Sequence, residues 1–150
     1  MDAESVRLMI DQDRKEWAKL TAMLDAHPEG ALHDRESLEW TSRDVYTHQA
    51  RLMQSTTTLL ATLAGVSVPA ADAFDEFQGD DENNVNARIQ KRYSHLSLDE
   101  ARAWAQRVFE ERIRTIEAVP GERWDAQLEE LAPGDGAQHY RGHASYIVAK

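Results

Sequence analysis

Apolar residues recur at three- and four-residue steps over most of the chain, a spacing that predicts helices rather than strands. From about Ala3 to Ala26, Val6, Ile10, Trp17, Leu20 and Leu24 form one stripe, and Asp11, Arg14, Lys15 and Lys19 occupy the opposite face. His27-Pro28-Glu29-Gly30 ends this helix, because proline cannot continue it and glycine supplies a turn. A second helix starts at Thr41, an N-cap with Asp44 in the capping-box position. Trp40 and Val45 stand where a hydrophobic staple would close that start. The seam then runs Val45, His48, Leu52, Ser55, Leu59 and Leu63, and Gly65 and Pro69 close it.

Leu63 to Gly79 reads as a linker containing proline, alanine and two phenylalanines. Asp80-Asp81-Glu82-Asn83-Asn84 opens a short helical stretch to about Tyr93, with acidic residues at the positive end of the helix dipole. Ser97-Leu98-Asp99-Glu100 is a second capping box. It begins a helix to about Val119 with the stripe Ala101, Ala105, Val108, Phe109, Ile113 and Ile116. Pro120-Gly121 stops it. Asp135 is the expected cap of a last helix, on which His139, His143, Tyr146 and Ile147 share a face. No run alternates as a strand would, and no repeat is present. The prediction is an all-α fold: one domain over residues 1–150, an antiparallel four-helix bundle with long inter-helix loops.

Composition narrows the function. At 150 residues a domain buries roughly 70% of its unfolded surface, enough for a core without staples. The absence of cysteine excludes a disulfide framework, a thiolate zinc site and a cysteine nucleophile. Seventeen Lys and Arg against 27 Asp and Glu leave a net charge of −10. That balance argues against nucleic acid and against an anionic membrane surface, which both need clustered positive charge. The start Met1-Asp2-Ala3-Glu4 is acidic where a secretory signal is basic, and no apolar run reaches the ~18 to 20 residues of a membrane span. The expected location is the cytoplasm.

The histidines carry the candidate chemistry. His27 at a helix end, His33 in a polar loop and His95 between two helical pieces read as solvated bystanders. His48 occupies a seam position where the pattern expects leucine, so it is either a satisfied core histidine or a ligand. His139 and His143, four residues apart, lie on one helix face about one turn from each other. Such a pair either chelates a divalent ion or decorates a surface helix. Inward-facing histidines from two helices can supply three nitrogen ligands and leave coordination positions open, the mark of a catalytic metal. Gly142, between the pair, costs roughly 1 kcal/mol relative to alanine in a helix; close approach of a neighbouring helix or a ligand would account for it, as would a neutral accident. Arg141 points away from the histidine face, toward a salt bridge with the acidic surface. Trp17, Trp40, Trp104 and Trp124 read as core or rim packing.

The stretch Trp40-Thr41-Ser42-Arg43-Asp44-Val45-Tyr46-Thr47-His48 resembles the second-helix motif of the DinB-like (YfiT-like) superfamily. His139-Tyr140-Arg141-Gly142-His143 resembles its last-helix His-x-x-x-His. Asp81-Glu82-Asn83-Asn84-Val85-Asn86, followed by Ala87-Arg88-Ile89, is similar to a branch that includes the N-terminal domain of mycothiol-dependent maleylpyruvate isomerases and the ClbS/DfsB proteins. The resemblance covers residues 40–147.

It implies a four-helix bundle with a metal at one end, held by His48, His139 and His143. Three neutral histidines suit zinc, nickel, iron or copper, zinc or nickel best, without fixing the ion. The implied enzyme activates water or a low-molecular-weight thiol, mycothiol or bacillithiol, against a small electrophilic substrate; the chain's lack of cysteine fits a sulfur that arrives with the cofactor. Asn83 and Asn86 are candidate substrate contacts, or else they cap and solvate a helix start. No catalytic acid or base stands out. The isomerase has a further C-terminal domain and this chain ends four residues beyond Tyr146, so a stand-alone thiol transferase or hydrolase is the expected activity. The alternative is a non-catalytic metal-binding or stress-linked helical protein. Phe74 and Phe77 in the long loop offer a homodimer contact. The superfamily's damage-inducible name points to DNA, and the charge points away from it.

Overall fold

The computed structural model describes residues 1–27, 31–35, 38–79 and 81–149. Within them the chain is predominantly helical, with α1 (Ala3–Ala26), α2 (Ser42–Ala64), α3 (Glu82–Arg92), α4 (Leu98–Ala118), α5 (Ala126–Leu131) and α6 (Ala137–Ser145). The strands β1 (Ala31–Arg35), β2 (Leu38–Trp40) and β3 (Ile147–Ala149) form a small antiparallel sheet in the order β2-β1-β3. The expected helix stop at Pro28-Glu29-Gly30 and the part of Asp80 in the third start lie outside the described residues.

The helix starts follow local chemistry. The Thr41 hydroxyl accepts from the Asp44 N–H while the Asp44 carboxylate accepts from the Thr41 N–H, a complete capping box. Ser97 and Glu100 form the second one at α4, and Asp81 caps α3 through the N–H of Asn84. Gly65 ends α2 in the left-handed conformation, φ +71°, which glycine adopts without strain. Trp40 and Val45 are both buried in one core cluster, as a staple requires.

Three expectations are corrected. First, the all-α class holds, but the expectation of no strand fails at the small sheet. His33 lies in β1 and not in an irregular loop; its backbone pairs with Trp40 on one side and with Ile147 on the other. Strands of three to five residues are too short for alternation to register, and their stability comes from partners distant in sequence. Second, the seam of α2 drifts. Leu59 and Leu63 are exposed, and the buried line after His48 runs through Ala50, Met53, Thr57, Leu60, Ala61 and Ala64. From Asp44 to Arg51 every residue is buried, so these two turns of α2 have no solvent face and no readable stripe. Third, Asp135 does not cap α6. The N-cap is Gly136, without a side-chain cap, and the N–H of Ala137 donates instead to Asp13 Oδ1 of α1 at 2.9 Å.

The main core joins Trp17, Leu20 and Leu24 of α1 to Val45, Tyr46, Ala50 and Met53 of α2, Phe109 and Ile113 of α4, and Tyr140 of α6. Trp17 stacks on Phe109 at 5.1 Å, and Tyr140 meets Trp17 edge-on at 5.1 Å. Such aromatic geometry adds about 0.5–1.5 kcal/mol per pair beyond area burial. Tyr140 is fully buried, and burial holds its phenol well above the ordinary tyrosine range. Its hydroxyl donates to Met53 Sδ at 3.0 Å. α6 packs mainly on α1, and α2 mainly on α4.

Two buried arginines tie these layers to their loops. Arg112 of α4 sends Nε and Nη2 to Asp13 Oδ2 at 3.1 and 2.9 Å, and Nη1 and Nη2 to the carbonyls of Gly134 and Ala132. Arg51 of α2 pairs with Glu76 at 2.7 Å, bonds Gln54, and stacks over Phe74 at 4.2 Å. The long α2–α3 loop is therefore anchored: Phe74 and Phe77 pack edge-on against each other at 6.0 Å.

Candidate metal centre

His48 stands in the second turn of α2, and His139 and His143 stand one turn apart on α6. The small sheet brings these helices together at the correct ends. β2 leads into α2, β3 follows α6, and β1 pairs with both. The start of α2 and the end of α6 are thereby zipped side by side.

All three imidazoles aim Nε2 at one point. His48 Nε2 lies 3.1 Å from His143 Nε2, which lies 2.9 Å from His139 Nε2. One ligand atom from each residue falls within 4.8 Å of the others. His48 and His143 are 2% and 1% exposed, and His139 is half-buried. A neutral imidazole nitrogen carries either a proton or one lone pair, so the middle nitrogen makes only one good N–H···N bond. An ion accepts all three lone pairs at once. Tetrahedral bonds of ~2.0–2.1 Å would set such nitrogens about 3.3 Å apart, a few tenths of an ångström from the spacing seen. The donor set fits a borderline divalent metal.

The surroundings hold the rings in place. Trp40 lies nearly parallel to His143, with ring centres 6.1 Å apart and planes 8° apart, and its ring centre is 4.7 Å from that of His48. Tyr146 meets His143 edge-on at 6.4 Å. His139 Nδ1 lies 3.5 Å from Asp135 Oδ1. The Asp13–Arg112 pair, through the N–H of Ala137 and the carbonyls of the preceding turn, sets where α6 begins. Gly136 is required there: a Cβ at this position would stand 2.5 Å from Arg112 Nη2 and 2.7 Å from Asp13 Oδ1.

The structure thus gathers the three predicted histidines and leaves His95 exposed and His27 at the end of α1. Arg141 points away from the cluster and pairs with Glu16 at 3.2 Å. Gly142 needs no close-packed neighbour, since a Cβ there meets nothing within 4 Å among the described residues beyond its chain neighbours and its own helix backbone. Of the two candidate asparagines, Asn86 is buried and Asn83, a turn earlier on α3, is exposed. A groove of about 960 Å³ lined by Gln54, Tyr93, Trp104 and Arg107 includes none of the three histidines.

Sequence reasoning missed Asp13 and Arg112, and read Asp135 only as a helix cap. The signal for the first two was present. Asp13 continues the stripe of Ile10, Trp17 and Leu20, and Arg112 continues that of Ala105 and Val108; both are opposite charges at core positions. No helix among the described residues is long and apolar enough to cross a membrane. No protein-family model, curated protein or solved structure matches this chain.

Proposed function

We propose that this protein is a metal-dependent enzyme whose divalent ion is held by His48, His139 and His143, with the four-helix architecture of the DinB-like superfamily. The convergence of three Nε2 atoms from two helices carries the reading. The order of the ligands, one on the second long helix and two on the last, supports the superfamily assignment. Zinc or nickel suits the nitrogen set. A bound divalent ion supplies Lewis acidity that lowers the pKa of water or a thiol toward neutrality. The chain's own residues do the rest: the three histidines present neutral donors, and Trp40 walls the His48–His143 side. The partially exposed His139 leaves one approach for a small electrophilic substrate. The chain has no cysteine, so in the thiol-dependent form the sulfur belongs to a small cofactor such as mycothiol or bacillithiol.

The near-complete burial of His48 and His143 favours a second reading, a non-catalytic metal-binding protein. Elemental analysis of untagged protein tests the common premise. About one divalent ion per chain is expected, and His48→Ala should lose most of it, because two histidines on one helix chelate far more weakly than a tripod. Unchanged metal content in that variant refutes the site. Conjugation assays with mycothiol, bacillithiol and glutathione against model electrophiles then separate the readings. Turnover with any of them supports the thiol-dependent enzyme, and none with all three favours the hydrolase or the binding protein.

A further inference from the structure

Asp135 has the one positive φ, +60°, among the described non-glycine residues. This left-handed conformation is costly for a residue with a Cβ, and Asp tolerates it better than most. An aspartate at a helix start is well suited to cap it, yet Gly136 holds the cap position and Asp13 of α1 takes the N–H of Ala137. The carboxylate of Asp135 is thereby left for other partners. Its Oδ2 accepts from the Thr56 hydroxyl of α2, and its Oδ1 faces His139 Nδ1 at 3.5 Å.

We infer that Asp135 is a positioning residue, which selects the His139 tautomer protonated at Nδ1 so that Nε2 presents its lone pair to the ion. This rests on the metal-site reading above. At 3.5 Å the interaction is charge–dipole attraction more than a full hydrogen bond, and a carboxylate so placed stabilises a proton on the facing nitrogen. Carboxylate support of a ligand histidine typically contributes 10- to 100-fold in metal affinity. Thr56 fixes the other carboxylate oxygen, so α2 supplies both the ligand His48 and the anchor for the group that orients His139. The strained turn has a physical reason in this arrangement: it aims the carboxylate at the ring rather than at the helix end.

The test uses two independent readouts on metal-free protein. Two-dimensional ¹H–¹⁵N correlation of the imidazole nitrogens should find His139 protonated at Nδ1 in the wild type; an Nε2-protonated ring overturns the inference. Co(II) titration, followed by visible absorption, compares wild type with Asp135→Asn. Asparagine keeps the left-handed turn and an oxygen for Thr56 but removes the charge. Co(II) affinity should fall about 10- to 100-fold while the metal-free melting temperature stays within a degree or two. Unchanged affinity overturns the positioning role. If Asp135→Asn does not fold, the wild-type imidazole spectrum alone decides the matter. A wild type with the Nδ1 tautomer that binds no Co(II) removes the metal site itself, and that failure is distinct from the others.

Discussion

Truncating Asp13 to alanine strips the charge from a fully enclosed pair. Arg112 and Asp13 have side chains 1% and 2% exposed. The guanidinium would keep its bonds to the Gly134 and Ala132 carbonyls but lose both contacts to Oδ2, at 3.1 and 2.9 Å. Breaking a buried pair by removing one partner costs about 3–5 kcal/mol, because an uncompensated charge stays behind. The freed N–H of Ala137 adds to this, since Oδ1 is its acceptor. Domain stabilities are about 5–15 kcal/mol, so the variant sits near the edge of folding. Arg112→Met should cost a similar amount by stranding the carboxylate. The double variant Asp13→Ala with Arg112→Met removes both charges, so its loss should fall short of the summed single losses by about 2–3 kcal/mol. Urea unfolding of metal-free protein gives each value by linear extrapolation. Single losses below about 1 kcal/mol, or a strictly additive double variant, would refute the argument that this pair is a desolvated clamp.

Two glycines of the α6 region should respond to alanine in opposite directions. Gly136→Ala drives a Cβ into Arg112 and Asp13 and should destabilise by roughly 1–3 kcal/mol, as overpacking does. Gly142→Ala meets open space and should stabilise the metal-free protein by about 0.5–1 kcal/mol; equal signs in thermal unfolding would disprove the contrast. Acid stability tests the Arg51 clamp. Burial pushes the Glu76 carboxyl upward, but the hydrogen bonds and charge of Arg51, with Arg92 nearby, outweigh it and hold Glu76 below its ordinary 4.5. Because the folded value is depressed, its stabilisation is complete above the unfolded value and is lost as pH falls through the folded one. Glu76→Gln should lower stability near neutral pH and flatten the decline below pH 4.5; an unaltered slope in urea titrations across that range would count against the clamp.

What sequence determines here is what neighbours within a few residues decide. Thr41 with Asp44, and Ser97 with Glu100, satisfy their own helix starts, so both capping boxes stand where residue types alone put them. The stripe of α1 is legible because one face meets water. The face shared by His139 and His143 follows from helical spacing alone. The tertiary structure decides what needs partners far along the chain. The sheet that draws α2 and α6 together is built from segments too short to declare themselves. The run from Asp44 to Arg51 in α2 is buried on every side, which erases the periodicity that would have marked its true seam. Asp13 and Arg112 are 99 residues apart, and each alone reads as a charge misplaced in an apolar stripe. Whether His48 joins the pair on α6 depends on that sheet and that clamp, because ligand convergence within a few ångströms is a property of packed layers and not of any single helix.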